Sequence, residues 1–182
     1  MKLNYKIFLC AILATTVAET ASASQPIDIY AGAMIGAGGA TMYFDDNHKN
    51  NAAQSFGAVF GIDIPLLRVE AEYNYLTNDK FSTNDAMLNA YFKMLSTVVH
   101  PYIGVGVGSV FSGNIDIQDT KYDIKTSVAY QGMLGLTFDI SALPINFDIE
   151  GRVLYAPNFA EFAGEKPDML HYDARLKLRY VF

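Results

Sequence analysis

The sequence predicts an all-β protein, an eight-stranded antiparallel up-and-down transmembrane β-barrel. Eight segments alternate apolar and polar residues, and the connections between them alternate between short and long. No apolar run after residue 23 reaches the eighteen residues typical of a membrane-spanning helix. Lipid cannot satisfy the backbone groups of an open sheet edge, so strands that cross a membrane must close into a barrel.

The first element is a targeting segment. Lys2 and Lys6 precede an apolar stretch at 7–18, and Ala21, Ser22 and Ala23 form a small-residue cleavage pattern. At ~1.5 Å per residue this stretch would span only ~18 Å as a helix, less than the ~30 Å hydrocarbon core of a bilayer. We therefore predict a signal peptide at 1–23 and an outer-membrane barrel domain at 24–182.

Cysteine usage and charge narrow the class of protein. The single cysteine, Cys10, lies in the predicted signal peptide, which suits an oxidising envelope compartment. The chain has 13 Lys and Arg against 19 Asp and Glu, and removal of Lys2, Lys6 and Glu19 leaves 11 against 18, a net charge of −7. Such an acidic chain has no electrostatic footprint for nucleic acid.

The first four strands are predicted from period-two alternation. The first, at 27–43, alternates aliphatic residues with tyrosine, methionine and glycine. The second, at 56–64, alternates aromatic and aliphatic residues with glycine, and a tight turn leads to the third, at 67–75, whose polar face is charged. The fourth, at 87–95, places leucine, alanine, phenylalanine and methionine opposite polar residues and a tyrosine.

The last four strands follow the same pattern. The fifth, at 102–111, alternates aliphatic residues with glycine, and the sixth, at 128–140, alternates large apolar residues with mostly polar or small ones. The seventh, at 145–155, and the eighth, at 172–182, each oppose an apolar face to a charged face. Short connections are predicted at 64–67, 96–101 and 141–144, and long polar loops at 45–55, 76–86, 112–125 and 156–169. In such barrels the short turns are periplasmic and the long loops extracellular.

The charged faces are predicted to line the lumen. Glycines of the first, second and fifth strands share that face, so long charged side chains would have room inside a narrow barrel. A lipocalin-like soluble barrel, with the apolar face inside, is the structural rival. The predicted lumen charges are Asp63, Arg68, Glu70, Glu72, Lys93, Asp148, Glu150, Arg152, Asp173, Arg175, Lys177 and Arg179.

Charges in a narrow lumen must be paired, because isolated buried charges are costly. One register of the last two strands places Arg152 opposite Asp173, Glu150 opposite Arg175, and Asp148 opposite Lys177. Asp63 and Arg68 lie across the tight turn, where they can join a second cluster.

The C-terminus carries a family resemblance. Phe182, preceded two residues earlier by Tyr180, resembles the C-terminal signal of outer-membrane β-barrels, although Lys177 stands where that signal commonly has glycine. The whole pattern resembles the small eight-stranded barrels related to OmpX and the OmpA membrane domain. This resemblance implies a monomer in the outer membrane of a Gram-negative bacterium, in contact with outer-membrane lipids and lipopolysaccharide and inserted by the barrel assembly machinery.

The sequence offers no convincing chemical site. His48, His100 and His171 are scattered, without metal-ligand spacing, and Gly104 to Gly108 lacks the Lys-Ser/Thr of a phosphate loop. We expect no metal, no cofactor and no enzymatic activity. His48 near Asp45 or Asp46, and His171 with Asp173 and Ser112, are the weak candidates for a hydrolytic set.

The expected function is therefore a structural and surface-exposed one, with the extracellular loops as candidates for adhesion or host interaction. Phe159 and Phe162, in the last predicted loop, could contact a host surface, a partner or lipopolysaccharide, or pack on the rim. Two alternatives stay open: a narrow porin-like channel and a lipid A-modifying barrel enzyme.

Overall fold

The computed structural model describes residues 27–44, 47–78, 81–94, 99–117, 120–123, 126–140, 143–158 and 168–182. The predicted signal peptide at 1–23, with Cys10, lies outside these ranges. The strands are β1 (Asp28–Phe44), β2 (Asn47–Asp63), β3 (Leu67–Thr77), β4 (Phe81–Lys93), β5 (Val99–Ile117), β6 (Thr120–Asp123), β7 (Ser127–Ile140), β8 (Ile145–Ala156) and β9 (Asp168–Val181).

Eight of these strands close into an antiparallel barrel, as predicted. Their order is β4-β3-β2-β1-β9-β8-β7-β5, and pairing between β4 and β5 closes the ring. The short strand β6 pairs only with the end of β5 and belongs to a connection. We call the rim that holds the connections after β1, β3, β5 and β8 the outer rim, and the opposite one the inner rim. In the described part of the chain, no helix is long and apolar enough to cross a membrane.

The strands extend further at the outer rim than predicted. β2 begins at Asn47 and β4 at Phe81, so the long loops predicted at 45–55 and 76–86 are mostly strand. At ~3.3 Å per residue, the 17 residues of β1 span about 56 Å, whereas 9–11 residues suffice to cross a bilayer. Outside the hydrocarbon, polar residues on both faces are compatible with a strand, and the sequence therefore shows no alternation there.

The two faces of the barrel wall have opposite character. Apolar side chains cover the outside, among them Phe60 with 56% of its surface exposed and Leu134 with 68%. The largest buried side chains inside include Arg68, Arg175 and Lys177, each 0% exposed. This distribution excludes the lipocalin-like rival and is the one that a surrounding bilayer requires.

An apolar layer closes the lumen near the outer rim. Each of the eight barrel strands contributes at least one residue, and all of them are almost fully buried. We call this set the outer apolar layer: Ala40, Ala53, Leu76, Met87, Val110, Ala129, Leu154, Ala156 and Met169. Below it, toward the inner rim, the lumen is filled by polar and charged side chains.

Glycines make the lumen wide enough for those side chains. A Cβ atom at Gly38 would lie 2.5 Å from Asp173 Cα and would also meet the carbonyl oxygen of Tyr172, both of which are backbone atoms. By contrast, Gly132 faces outward, and a Cβ there would meet no atom within 4 Å. The packing therefore requires glycine at position 38 but not at position 132.

We predict that Gly38→Ala lowers the melting temperature of the refolded barrel, because the backbone of β9 cannot move away from the new methyl group. Gly132→Ala is the matched control. It should leave the melting temperature unchanged or raise it slightly, since replacing glycine typically stabilises by ~0.4–1 kcal/mol where the backbone permits. Thermal unfolding followed by circular dichroism in detergent measures both, and equal effects would contradict the packing described here.

Candidate functional site

The twelve predicted lumen charges all lie inside the barrel, and we call them the lumen charge network. They come from β2, β3, β4, β8 and β9. Eleven are buried, and Lys93 at the inner rim keeps 14% of its side chain exposed. Burying so many ions is tolerable only where each finds an opposite charge and further hydrogen bonds.

The inner part of the network is built around Asp148. Arg179 holds this carboxylate with two hydrogen bonds of 2.8 and 2.9 Å, and Arg68 Nη1 donates a third of 3.1 Å. Arg68 Nε also lies 3.3 Å from Asp63, which in turn contacts Lys93 at the rim. Three tyrosine rings surround the Arg68 guanidinium, with ring centroids 5.1–5.9 Å from its Cζ atom. Aromatic faces of this kind attract a desolvated cation.

The middle part alternates cations and carboxylates across the lumen. Lys177 Nζ lies 2.9 Å from Glu70 and 3.1 Å from Glu150. Arg175 contacts Glu150 through Nε at 2.9 Å and through Nη2, and its Nη1 reaches Glu72 at 2.6 Å. Because Arg175 belongs to β9, Glu72 to β3 and Glu150 to β8, this one side chain connects three strands, including strands on opposite walls.

Tyrosine hydroxyls satisfy the remaining oxygen atoms of the middle carboxylates. Tyr30 donates to Glu70 Oε2 at 2.7 Å and Tyr91 to Glu70 Oε1 at 2.8 Å. Tyr102 donates to Glu150 Oε2 at 3.0 Å. These contacts bring β1 and β5, which supply none of the twelve charges, and β4, which supplies Lys93, into the network.

The outer part of the network is centred on Arg152. Its Nε and Nη2 each lie 2.9 Å from Asp173, and its Nη1 is 3.3 Å from Glu72. Ser55 donates to Asp173 Oδ2 at 2.9 Å, and His171 Nε2 lies 3.1 Å from the same oxygen. The outer apolar layer lies directly above this group.

The register of the last two strands is the one expected from the sequence, but one of its three pairs does not meet. Arg152 with Asp173 and Arg175 with Glu150 are in contact. Asp148 faces Lys177 in the ladder, yet Arg179 and Arg68 hold Asp148, while Lys177 reaches Glu70 and Glu150. A bidentate guanidinium competes well for a carboxylate, and the flexible lysine reaches diagonally to other strands.

Several lumen residues were missed by the sequence reasoning. Asp85 is fully lumenal, although its segment 76–86 was predicted as a loop. Asn74 is also lumenal; the alternation placed it on the polar face of the third strand, but it was not counted among the lumen residues. Gln131 and Asn89 connect the outer part of the network, with Gln131 Nε2 donating to Asn89 Oδ1 at 2.7 Å. The alternation places both residues on polar faces, but the sequence of one strand does not show which residue lies opposite it across the lumen.

Tyr180 and Phe182, the two aromatic residues that resemble the insertion signal, lie at the end of β9 and directly after it. Tyr180 is 46% exposed on the outer surface, and its ring centroid lies 5.3 Å from that of Phe182. The Phe182 amide donates to the Ile29 carbonyl oxygen at 2.9 Å, which fixes the chain end to β1. Recognition of these two residues by the assembly machinery stays a prediction.

The histidines do not build a hydrolytic set among the described residues. His171 and Ser55 both contact Asp173 rather than each other, and all three are buried beneath the outer apolar layer. His100 lies at the inner rim, 2.9 Å from Asp139. The side chains of His48 and Ser112, as well as Phe159 and Phe162, lie outside the described part. Within the described ranges, no three His, Cys, Asp or Glu side chains are grouped to hold a metal ion.

The sequence matches the family described as Surface antigen over residues 31–147, more than half of its 182 residues. The chain belongs to the surface antigen family. No match is found among curated proteins.

Solved outer-membrane barrels have the same fold. Neisserial surface protein A is 16% identical with a TM-score of 0.61, and the alignment covers 82% of this chain and 95% of that one. The N-terminal barrel domain of Pseudomonas aeruginosa OprF is 10% identical with a TM-score of 0.56, covering 83% and 97%. Ail, the attachment invasion locus protein of Yersinia pestis, solved in complex with the heparin analogue sucrose octasulfate, is 11% identical with a TM-score of 0.52, covering 84% and 99%. The chain thus has the eight-stranded barrel fold of these outer-membrane proteins.

We predict that Arg175→Ala destabilises the barrel far more than Leu176→Ala at the neighbouring position. Loss of Arg175 removes a positive charge that neutralises the buried carboxylates of Glu72 and Glu150. Breaking a buried ion pair typically costs ~3–5 kcal/mol. Leu176 faces lipid, and its truncation removes only apolar contact of about 1 kcal/mol. Melting temperatures of both refolded variants in detergent give the comparison. Equal losses would mean that the network does not stabilise the barrel.

Proposed function

We propose that this outer-membrane surface protein acts through its outer rim, where the connections between strands contact a protein on another cell, and that the barrel serves as their rigid support. The observation that carries this proposal is the division of the molecule at the outer apolar layer. Below the layer, buried polar and charged side chains occupy the described lumen. Above it, the pairs of β1 with β2 and of β5 with β6 continue the sheet.

The length of the strands supports this assignment. β1 and β2 have 17 residues each and β5 has 19, several more than a bilayer requires. By the usual orientation of such barrels, the excess lies outside the cell. A rigid scaffold that displays connecting segments is a common basis for binding.

The charge of the outer segments indicates the kind of partner. Residues 45–55, 76–84, 112–125 and 156–169 together contain nine Asp and Glu and five Lys, a net charge of −4. Opposite charges steer association and like charges oppose it. We therefore infer a basic protein surface as partner. Ail was solved with a sulfated heparin analogue, but the acidic segments of this chain do not favour such a polyanion.

The remaining parts of the proposal concern the membrane. The barrel is a monomer whose apolar outside contacts outer-membrane lipids and lipopolysaccharide, and the assembly machinery inserts it by way of Tyr180 and Phe182. We assign it no catalytic role, since the buried His171, Asp173 and Ser55 offer a substrate no access.

Adhesion of intact cells tests the proposed partner. Gram-negative cells that display the chain should adhere to cultured animal cells more than cells with an empty vector, and soluble polylysine should compete. The double variant Glu161→Gln/Glu165→Gln should lower adhesion about two-fold, because an exposed ion pair contributes ~0.2–1 kcal/mol. Lys166→Gln, in the same connection, is the matched control and should not lower it. Adhesion equal to that of the empty vector, or inhibited by heparin alone, would contradict the proposal.

The channel alternative makes a distinct prediction. Because the outer apolar layer and the lumen charge network fill an eight-stranded barrel, we expect no steady conductance when the purified protein is added to planar bilayers. Single-channel recording measures this directly. A stable unitary conductance would favour the channel over the supporting role assigned to the barrel.

A further inference from the structure

Three buried oxygen atoms on neighbouring strands have no hydrogen-bond partner in the described part of the chain. They are Asn74 Oδ1, Thr83 Oγ1 and Asp85 Oδ1. Asn74 and Thr83 are 0% exposed and Asp85 is 2% exposed. Buried polar atoms are nearly always hydrogen-bonded, and an exception calls for a bound water or ion.

The strand register places these atoms together near the outer end of the lumen. Asn74 on β3 faces Asp85 on β4, and Thr83 is two residues from Asp85, on the same face of β4. The next lumenal residue in the same row is Val110, followed by Ser127, whose Oγ atom also has no partner. Apart from Val110, this row presents oxygen acceptors and hydroxyls, and the one charge among its described residues is the carboxylate of Asp85.

Among the residues that the structure describes, the lumen contains one more carboxylate than Lys and Arg side chains. Six cations lie there: Arg68, Lys93, Arg152, Arg175, Lys177 and Arg179. Seven carboxylates lie there: Asp63, Glu70, Glu72, Asp85, Asp148, Glu150 and Asp173. Six minus seven leaves one negative charge, and an uncompensated buried charge is costly.

Of the seven carboxylates, Asp85 is the one without a Lys or Arg nitrogen at close distance. Each of the other six has a Lys or Arg nitrogen within 3.3 Å. Asp85 Oδ2 accepts a hydrogen bond of 3.0 Å from Asn74 Nδ2, whereas Asp85 Oδ1 lies 3.9 Å from Arg152 Nη1. Arg152 is already engaged with Asp173 through two hydrogen bonds of 2.9 Å.

We propose that Asp85, Asn74 and Thr83 bind a small monovalent cation of the sodium type. Carboxylate, amide and hydroxyl oxygens are the ligands that hard cations take. A single positive charge brings the lumen to neutrality, whereas a divalent ion would add an excess charge close to Arg152. A water molecule alone would satisfy the oxygen atoms but not the charge.

His171 is the competing source of the missing charge. Its Nδ1 lies 3.0 Å from the Gly39 carbonyl oxygen, and its Nε2 lies 3.1 Å from Asp173 Oδ2 but outside hydrogen-bond geometry, so a protonated ring would gain an ion pair with Asp173. It faces Asp173, however, and leaves the oxygens around Asp85 without partners. The two sources differ in their response to sodium and to pH.

Refolding in different salts tests the site. The full mature chain is refolded in detergent in sodium chloride or in an equal concentration of choline chloride, and its melting temperature is measured in the same salt. Sodium should raise the melting temperature by about 3 °C relative to choline, because a ligand that binds only the folded state stabilises it. Asp85→Asn keeps the shape of the side chain without its charge and should abolish this difference. Asp28→Asn, at the exposed inner rim, is the matched control and should retain it.

Thr83→Val provides a second variant that keeps the charge of Asp85, and it should reduce the sodium effect. The proposal is overturned if the wild type melts at the same temperature in both salts, or if Asp85→Asn responds to sodium as the wild type does. A melting temperature that changes with pH but not with sodium would also overturn it, since a proton on His171 or Asp85 would then supply the charge. If Asp85→Asn does not refold, the wild-type comparison and Thr83→Val still decide the question.

Discussion

The structure depends on one constraint: charges inside a barrel too narrow for bulk water must be neutralised by other strands. Arg175 meets carboxylates from β3 and β8, and Lys177 reaches the same two strands. Glycines of β1, β2 and β5 leave the space that these long side chains need. The network thus acts as the core of the molecule, in place of the apolar core of a soluble protein, and it holds opposite walls together.

This construction separates the filled lumen from the connections at the outer rim. The outer apolar layer contains residues from all eight barrel strands and lies between the network and the outer rim. An apolar layer neither conducts ions nor forms hydrogen bonds with the segments above it. The filled lumen is consistent with the proposed role of the barrel as a scaffold for its outer connections.

The sequence was sufficient for the wall of the barrel and insufficient for its interior contacts. Alternation identified which face of β3, β8 and β9 is charged, because lipid and lumen impose opposite requirements on adjacent residues. It failed for the outer part of β2, where polar and small residues occupy alternate positions on both faces and no contrast exists. The partners of Lys177 were missed for another reason: they are set by contacts across the barrel, which depend on strand tilt and shear. Asp85 was missed for the same two reasons, the missing alternation near the outer rim and the contacts across the barrel.

The two ends of the lumen differ in their exposure to water. At the inner rim, Lys93 and Asp63 keep 14% and 9% of their side chains exposed, so water reaches the network from that side. At the outer rim, Leu76, Leu154 and Met169 are each 1% exposed and shield it. A substitution in an outer connection therefore changes neither the charge balance nor the hydration of the network. Because the network lies below the apolar layer, we expect the connections beyond the outer ends of the strands to differ in sequence without loss of the fold.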